Sequence, residues 1–177
     1  MIATLISSKT RIKLLLKFFL NSNNISYLRG LEQEFGESTN SIRLELNRFE
    51  KSGLLTSFNK GNKKFFQANI LHPLYSDIHN IVKKHIGFDQ IILNILDKVG
   101  DLQEVYVLGA FARGLDSPVI DLMLIGDINK TYFIQLAEKV EKLIDRRIRH
   151  IIYRSSDEVD WDYYTEKPLL LWEQAIS

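Results

Sequence analysis

The sequence predicts a two-domain α+β chain, with a helix-turn-helix and basic β-hairpin in its first half and an α/β sheet domain in its second. Three observations carry this. Charge divides the chain: residues 1–85 hold 13 Lys/Arg and 6 Asp/Glu, a net +7, whereas residues 86–177 hold 10 and 16, a net −6, which together give +1. Three helical stretches precede an alternating run in the first half. Strand, glycine turn, strand, helix and strand follow one another in the second. The expected domains are 1–85 and 86–177.

Of 177 residues, 45% are hydrophobic and 25% charged, an ordinary globular mix. The chain has no cysteine, which excludes disulfides and thiolate metal sites and points to the cytoplasm. The opening MIATLISSKTRIKLLLKFFL is interrupted by Lys9, Arg11, Lys13 and Lys17, so it lacks the clean apolar segment of a signal peptide. No run reaches the length of a membrane span, and no membrane partner is expected.

From Ser8 to Leu20, Ile12, Leu15, Leu16 and Phe19 recur at helical spacing. Asn21 to Asn24 is a polar break. SYLRGLEQEFG, residues 26–36, predicts a second helix capped by Ser26 and stopped by Gly36, with Tyr27, Leu28, Leu31 and Phe35 on one face. Ser38 caps a third helix that runs to about Lys51, burying Ile42, Leu46 and Phe49. Two short helices about a tight turn at Gly36-Glu37 form a helix-turn-helix. Its second helix would face double-stranded DNA with Ser38, Thr39, Asn40, Ser41, Arg43, Asn47 and Arg48. Arginine can read guanine and asparagine adenine by paired hydrogen bonds.

Residues 54–70 then alternate into a hairpin about Lys60-Gly61-Asn62. Lys60, Asn62, Lys63 and Lys64 at its tip suit the phosphate backbone. Lysines also protect edge strands from aggregation, and a net positive half is also what a solvated surface gives. The order helix, helix, helix, basic hairpin favours DNA.

The run NSIRLELNRFEKSGLLTSFNKGNKKFFQANILHPLY is similar to the winged helix of ArsR-type transcriptional regulators. It resembles in particular the branch that carries a nucleotidyltransferase-like domain behind the wing. The recognition helix, the GLL that leads into the wing, the GN turn and the N-x-x-HPLY that leaves it occur in that order, over residues 8–85. The resemblance implies a dimeric DNA-binding repressor. Metal sensing through cysteine pairs, common in that family, does not carry over to a chain without cysteine.

His72, His79 and His85 fall on or beside a helix predicted over 73–85, spaced seven and six apart, which fits one metal poorly. They read as surface or packing histidines. Ile78, Ile81 and Val82 share one helix face and Ile91, Ile92 and Ile95 another, with Gly87 separating two helices. Dimer contact and internal packing both fit these faces.

In the second half, QEVYVL is a strand ended by Gly109, and Ala110 to Gly114 starts a helix. PVIDLMLIG is a second, nearly continuous apolar strand. The helix KTYFIQLAEKVEKLIDRR turns Phe133, Leu136, Ala137, Val140, Leu143 and Ile144 to the core, and RIRHIIY is a third strand. In the tail, Ser156 caps a short helix, while Trp161, Tyr164, Leu169 to Leu171 and Trp172 pack on the domain or on a partner.

Residues 88–155 resemble a minimal nucleotidyltransferase, whose motif is glycine-serine after a strand, A-R-G, a loop, then S-D-x-D-L. Gly109 matches the glycine, Ala112-Arg113-Gly114 the A-R-G, and Asp121-Leu122 the second aspartate and leucine. The resemblance implies a nucleotide site on Gly109, Ala110, Arg113 and Gly114, and a magnesium ligand at Asp121. The departures fall on the chemistry. Ala110 replaces the motif serine. One alignment puts Val119 where the first aspartate belongs; the other puts Met123 where the second belongs. Residues two apart on a strand face the same side, so either way one carboxylate is lost. Nucleotidyl transfer usually uses two magnesium ions, held by carboxylates and substrate phosphates. The third strand offers Arg147, Arg149 and His150 in place of a further carboxylate, and Asp116 lies in a loop. Arg113 and Arg149 can add charge for a phosphate, although Arg113 can equally pair with Asp121 or Asp116.

The expectation is therefore a DNA-binding transcriptional regulator, a homodimer, whose nucleotidyltransferase-like domain has lost catalysis and serves as sensor or scaffold. The alternative is an active magnesium-dependent nucleotidyltransferase that modifies a protein or small molecule. Magnesium belongs only to that alternative, and no other cofactor is implied. A nucleotide ligand without catalysis, and a protein-interaction module that no longer touches DNA, are further readings.

Overall fold

A computed structural model describes residues 2–95 and 98–174. The chain is mixed α and β with two separate sheets, and it divides into two compact units, Met1–His85 and Ile86–Ser177. No helix among the described residues is long and apolar enough to cross a membrane.

The first unit begins with a short helix α1 (Ile2–Leu5) and with α2 (Lys9–Leu15). Ser8 caps α2 by accepting the Arg11 amide at 3.2 Å. The helix then widens into a π-helical turn over Leu16–Leu20. Periodicity predicts a single stripe, but Leu14 through Leu20 are all buried, Lys17 among them. Seven consecutive buried residues run all the way round the helix axis, so this stretch is enclosed on every side rather than along one stripe. Lys17 ends in an ion pair with Glu34 at 2.7 Å, which keeps its buried charge matched.

Ser26 does not cap the next helix. It lies in a two-residue strand, β1 (Ser26–Tyr27), and α3 (Leu28–Phe35) starts after Tyr27, which makes no side-chain cap. Strand pairing claims the segment that local propensity had given to a cap. Ser38 does cap α4 (Thr39–Lys51), accepting the Ser41 amide at 3.2 Å. β2 (Leu55–Lys60) and β3 (Lys63–Ala68) form the hairpin. Gly61, at φ 61°, supplies the left-handed residue of its two-residue turn. The sheet order is β1-β3-β2, antiparallel throughout, with Ser26 opposite Phe66 and Tyr27 opposite Phe65. Helix-turn-helix followed by a paired hairpin is a winged-helix-like arrangement. α5 (Tyr75–Ile86) follows. His72 Nδ1 accepts the Leu74 amide at 3.1 Å, and His79 Nδ1–H donates to the Phe19 carbonyl at 2.6 Å, so these two histidines hold local structure. On α5, Val82 is buried, whereas Ile81 is exposed.

The second unit opens with α6 (Phe88–Asn94), β4 (Gly100–Leu108), a single helical turn α7 (Gly109–Ala112) and β5 (Val119–Ile128). After them come α8 (Lys130–Ile144), β6 (Arg147–Tyr153) and β7 (Leu169–Glu173). The sheet order is β6-β5-β4-β7. β4 runs antiparallel to β5 and to β7, while β5 and β6 are parallel, joined by α8. One sheet face buries Val105, Val107, Ile120, Leu122, Leu124 and Ile148; the buried stripe of α8 is Phe133, Leu136, Ala137 and Val140. Leu143, expected in that core, is 67% exposed. The stripe steps from Val140 by four to half-buried Ile144, and Leu143 falls beside it. In the tail, no helix begins at Ser156; a 3-10 turn, Trp161–Tyr163, is capped by Asp160 instead. The apolar run after it becomes β7, an edge strand on the unit's own sheet.

Candidate functional site

α4 has two faces. Ile42, Leu46 and Phe49 are buried, with Glu45 among them at 6% side-chain exposure. Glu45 receives Arg11 on both oxygens, Nε at 2.9 Å and Nη2 at 3.2 Å. It also accepts from Ser8 Oγ at 3.2 Å and from Arg48 Nη1 at 3.1 Å. Burial works against its charged form, but the bonds and charges of Arg11, Ser8 and Arg48 outweigh it and hold the carboxyl below its ordinary range. This clasp fixes α4 against α2. It also engages Arg48, one of the residues expected at DNA. Ser38 and Ser41 share a hydroxyl hydrogen bond of 2.8 Å at the helix start, so their polar groups serve the cap, and Thr39 is half-buried. The opposite face presents Asn40, Arg43 and Asn47, all exposed, with Arg43 donating to Asn40 Oδ1 at 3.3 Å.

Beyond α4 stands the hairpin. Lys60 and Asn62 are exposed at its tip. The Lys63 ammonium lies 4.4 Å from the Tyr27 ring centre, a cation–π contact. Lys64 pairs with Glu50 at 2.7 Å. That hydrogen bond, then one from Ser57, holds the Glu50 carboxyl below its ordinary range.

Between α4, the start of α3 and the hairpin lies a cleft of about 470 Å³. It brings together Arg43, Asn47, Asn62, Lys63 and Lys64, five of the residues expected at DNA. Ser38, Thr39, Asn40, Ser41, Arg48 and Lys60 lie outside its wall. Arg29 joins the lining, so four cations and no carboxylate face one hollow. Sequence reasoning missed Arg29 because α3 reads as a supporting helix. The available signal was its isolation: no other Lys or Arg stands between Lys17 and Arg43.

The second unit does bring Gly109 and Asp121 together. Leu108 pairs with Asp121 across β4 and β5. Gly109 sits at φ 61°, and a Cβ there would stand 3.1 Å from Asp121 Oδ2, so glycine serves both the backbone turn and the close approach. Asp121 is already engaged: Arg149, its register partner on β6, donates Nε at 2.6 Å and Nη2 at 3.0 Å. Those hydrogen bonds, with the carboxylate's charge, raise the Arg149 pKa above its ordinary value. Arg149 is thus committed to Asp121 rather than offered to a phosphate. On the same face of β5, Val119 is half-buried and Met123 buried.

The other expected partners also differ. Arg113 pairs with Glu166 at 3.2 Å, not with Asp121 or Asp116. Asp116 pairs with Arg146 at 2.8 Å, and Arg146 also donates to the Ser117 carbonyl. Arg147 pairs with Glu141 at 3.2 Å. His150 lies edge-on to Phe133 at 4.8 Å, its pKa pushed down by burial and then by Lys130. Among the described residues, no three of His, Asp and Glu converge to hold a metal ion. A lone carboxylate already bound by a guanidinium does not fit a magnesium site.

The tail lies along the sheet face that carries Asp121. Trp161 meets Tyr106 edge-on at 5.1 Å, and the Tyr153 and Tyr164 hydroxyls are 3.2 Å apart. Tyr106, next on this face of β4 after Leu108, is pushed up to about 12 by burial and by its hydrogen bond to Glu104.

No protein-family model and no curated protein matches the chain. Among solved structures it is similar to reduced HlyU from Vibrio cholerae N16961, at 12% identity and TM-score 0.37, over 47% of this chain and 82% of that one. It is also similar to AF1382 from Archaeoglobus fulgidus, at 14% identity and TM-score 0.39, over 48% of this chain and 96% of that one.

Proposed function

We propose that the chain is a DNA-binding transcriptional regulator of ArsR type, acting as a homodimer in the cytoplasm. Its first unit engages double-stranded DNA, and its second is a nucleotidyltransferase-like fold that serves as sensor or scaffold. The observation that carries the reading is the cleft where Arg29, Arg43, Lys63 and Lys64 face one hollow without a carboxylate. Such a hollow beside an exposed Arg/Asn helix face suits a phosphate strand, with base edges in reach of α4. Support for the dimer is the apolar exposure of Leu71, Leu74 and Ile81 at and beyond the hairpin's end. The enzymatic alternative has against it the engagement of Asp121 by Arg149.

The test is binding of a fluorescent random-sequence duplex across a salt series. Three phosphate contacts, from Arg29, Arg43 and Lys63, give a log–log slope near −2.7, so affinity is expected to fall about fortyfold between about 50 and about 200 mM salt. Absent or salt-insensitive binding would replace the regulator with a protein-interaction module.

A further inference from the structure

On α4, Leu44 breaks the pattern of its own helix. Ile42, Leu46 and Phe49 are buried, whereas Leu44 is 53% exposed on the opposite side. It shares that side with Asn40 and Asn47, four and three residues away, and Arg43 borders it. These residues and Ser41 line one hollow of about 400 Å³ on the outer surface of α4. Leu44 therefore stands on the polar face, outside the buried stripe of its helix. An apolar side chain there can read only what is apolar in a base pair.

The geometry points to Leu44 as a specificity-determining residue that takes the C5 methyl of a thymine in the major groove. This rests on the DNA-binding reading above. Thymine alone offers a methyl in that groove, while adenine offers N6 and N7 to asparagine and guanine O6 and N7 to arginine. Asn40 and Asn47 one helical turn to either side would engage adenines, and each adenine carries a thymine as its pair. The recognised sequence then contains at least one thymine at which the methyl, not the hydrogen-bonding edge, is read.

The experiment enriches duplexes from a random pool with the full chain. Each thymine of the enriched sequence is then replaced by deoxyuridine, which removes only the methyl. At one position the replacement is expected to weaken wild-type binding about fourfold and Leu44→Ala binding less than about twofold, the scale of one buried methyl group. Equal losses in both proteins at every thymine, or none in the wild type, would overturn the assignment while leaving DNA binding intact. No enriched duplex at any salt would overturn the DNA-binding reading itself, and this assignment with it.

Discussion

The cleft of the first unit and the arginines Arg113 to Arg149 of the second differ in how their charge is met. In the second, Arg113, Arg146, Arg147 and Arg149 meet Glu166, Asp116, Glu141 and Asp121. In the first, carboxylates cluster on the supporting side: Glu34, Glu37 and Glu45 take Lys17, Lys13 and Arg11. Among the described residues, no ion pair there involves Arg29, Arg43, Lys60 or Lys63. Net charge alone would have called one unit basic and the other acidic. The pairing teaches more: Arg29, Arg43 and Lys63 line one cleft with no ion pair among the described residues, whereas Arg113, Arg146, Arg147 and Arg149 are each met by a carboxylate.

The largest effect that would break this contrast is on DNA. The triple substitution Arg29→Ala, Arg43→Ala, Lys63→Ala should flatten the salt slope by roughly three and weaken duplex binding about a hundredfold, read by fluorescence anisotropy. Arg113→Ala, Arg147→Ala and Arg149→Ala together should leave both unchanged. Equal losses from the two sets would erase the distinction between the units.

Next in size is the clasp behind α4. Removing Glu45 leaves Arg11 without its carboxylate, so Glu45→Ala should cost about 3 kcal/mol in urea unfolding, the low end of the range for broken buried pairs because Arg11 is partly solvated. The folded-state pKa of Glu45 is depressed. Its contribution is therefore complete above the unfolded-state value near 4.5 and is lost as pH falls through the lower folded value. Wild-type stability should drop in that acid range, and Glu45→Ala should drop less steeply. Parallel curves would mean the clasp is not the titrating element.

The smallest effect belongs to Asp121. With its carboxylate bound by an exposed guanidinium, Asp121→Ala should scarcely move the denaturation midpoint. Calorimetry with a nucleoside triphosphate and magnesium should show no binding in either protein. Tight binding lost on substitution would restore the second unit to the enzymes.

Local chemistry wrote the parts that were legible. Ser38, the span of α4 and the turn at Gly61 follow from capping, periodicity and backbone freedom, all within a few residues. The lack of a second carboxylate two residues to either side of Asp121 was equally local, because strand alternation alone puts Val119 and Met123 on its face. What escaped is what distant segments decide. β1 exists because Ser26 meets Phe66 forty residues on, and β7 because Leu169 meets Val107. Arg29 and Leu44 escaped for a related reason: one is placed in its cleft by that pairing, and the other declares itself only once the core side of α4 is known.

The two-residue strand β1 has a mechanical consequence. It fastens the lead into α3 to the hairpin, with Tyr27 packed on Phe65 at 5.4 Å and under the Lys63 ammonium. The hairpin therefore cannot swing as a free arm, because any displacement pulls the root of α3 with it. The backbones that carry Arg29 and Lys63 are thus tied to one another, and the width of the cleft mouth at its base is set by strand pairing.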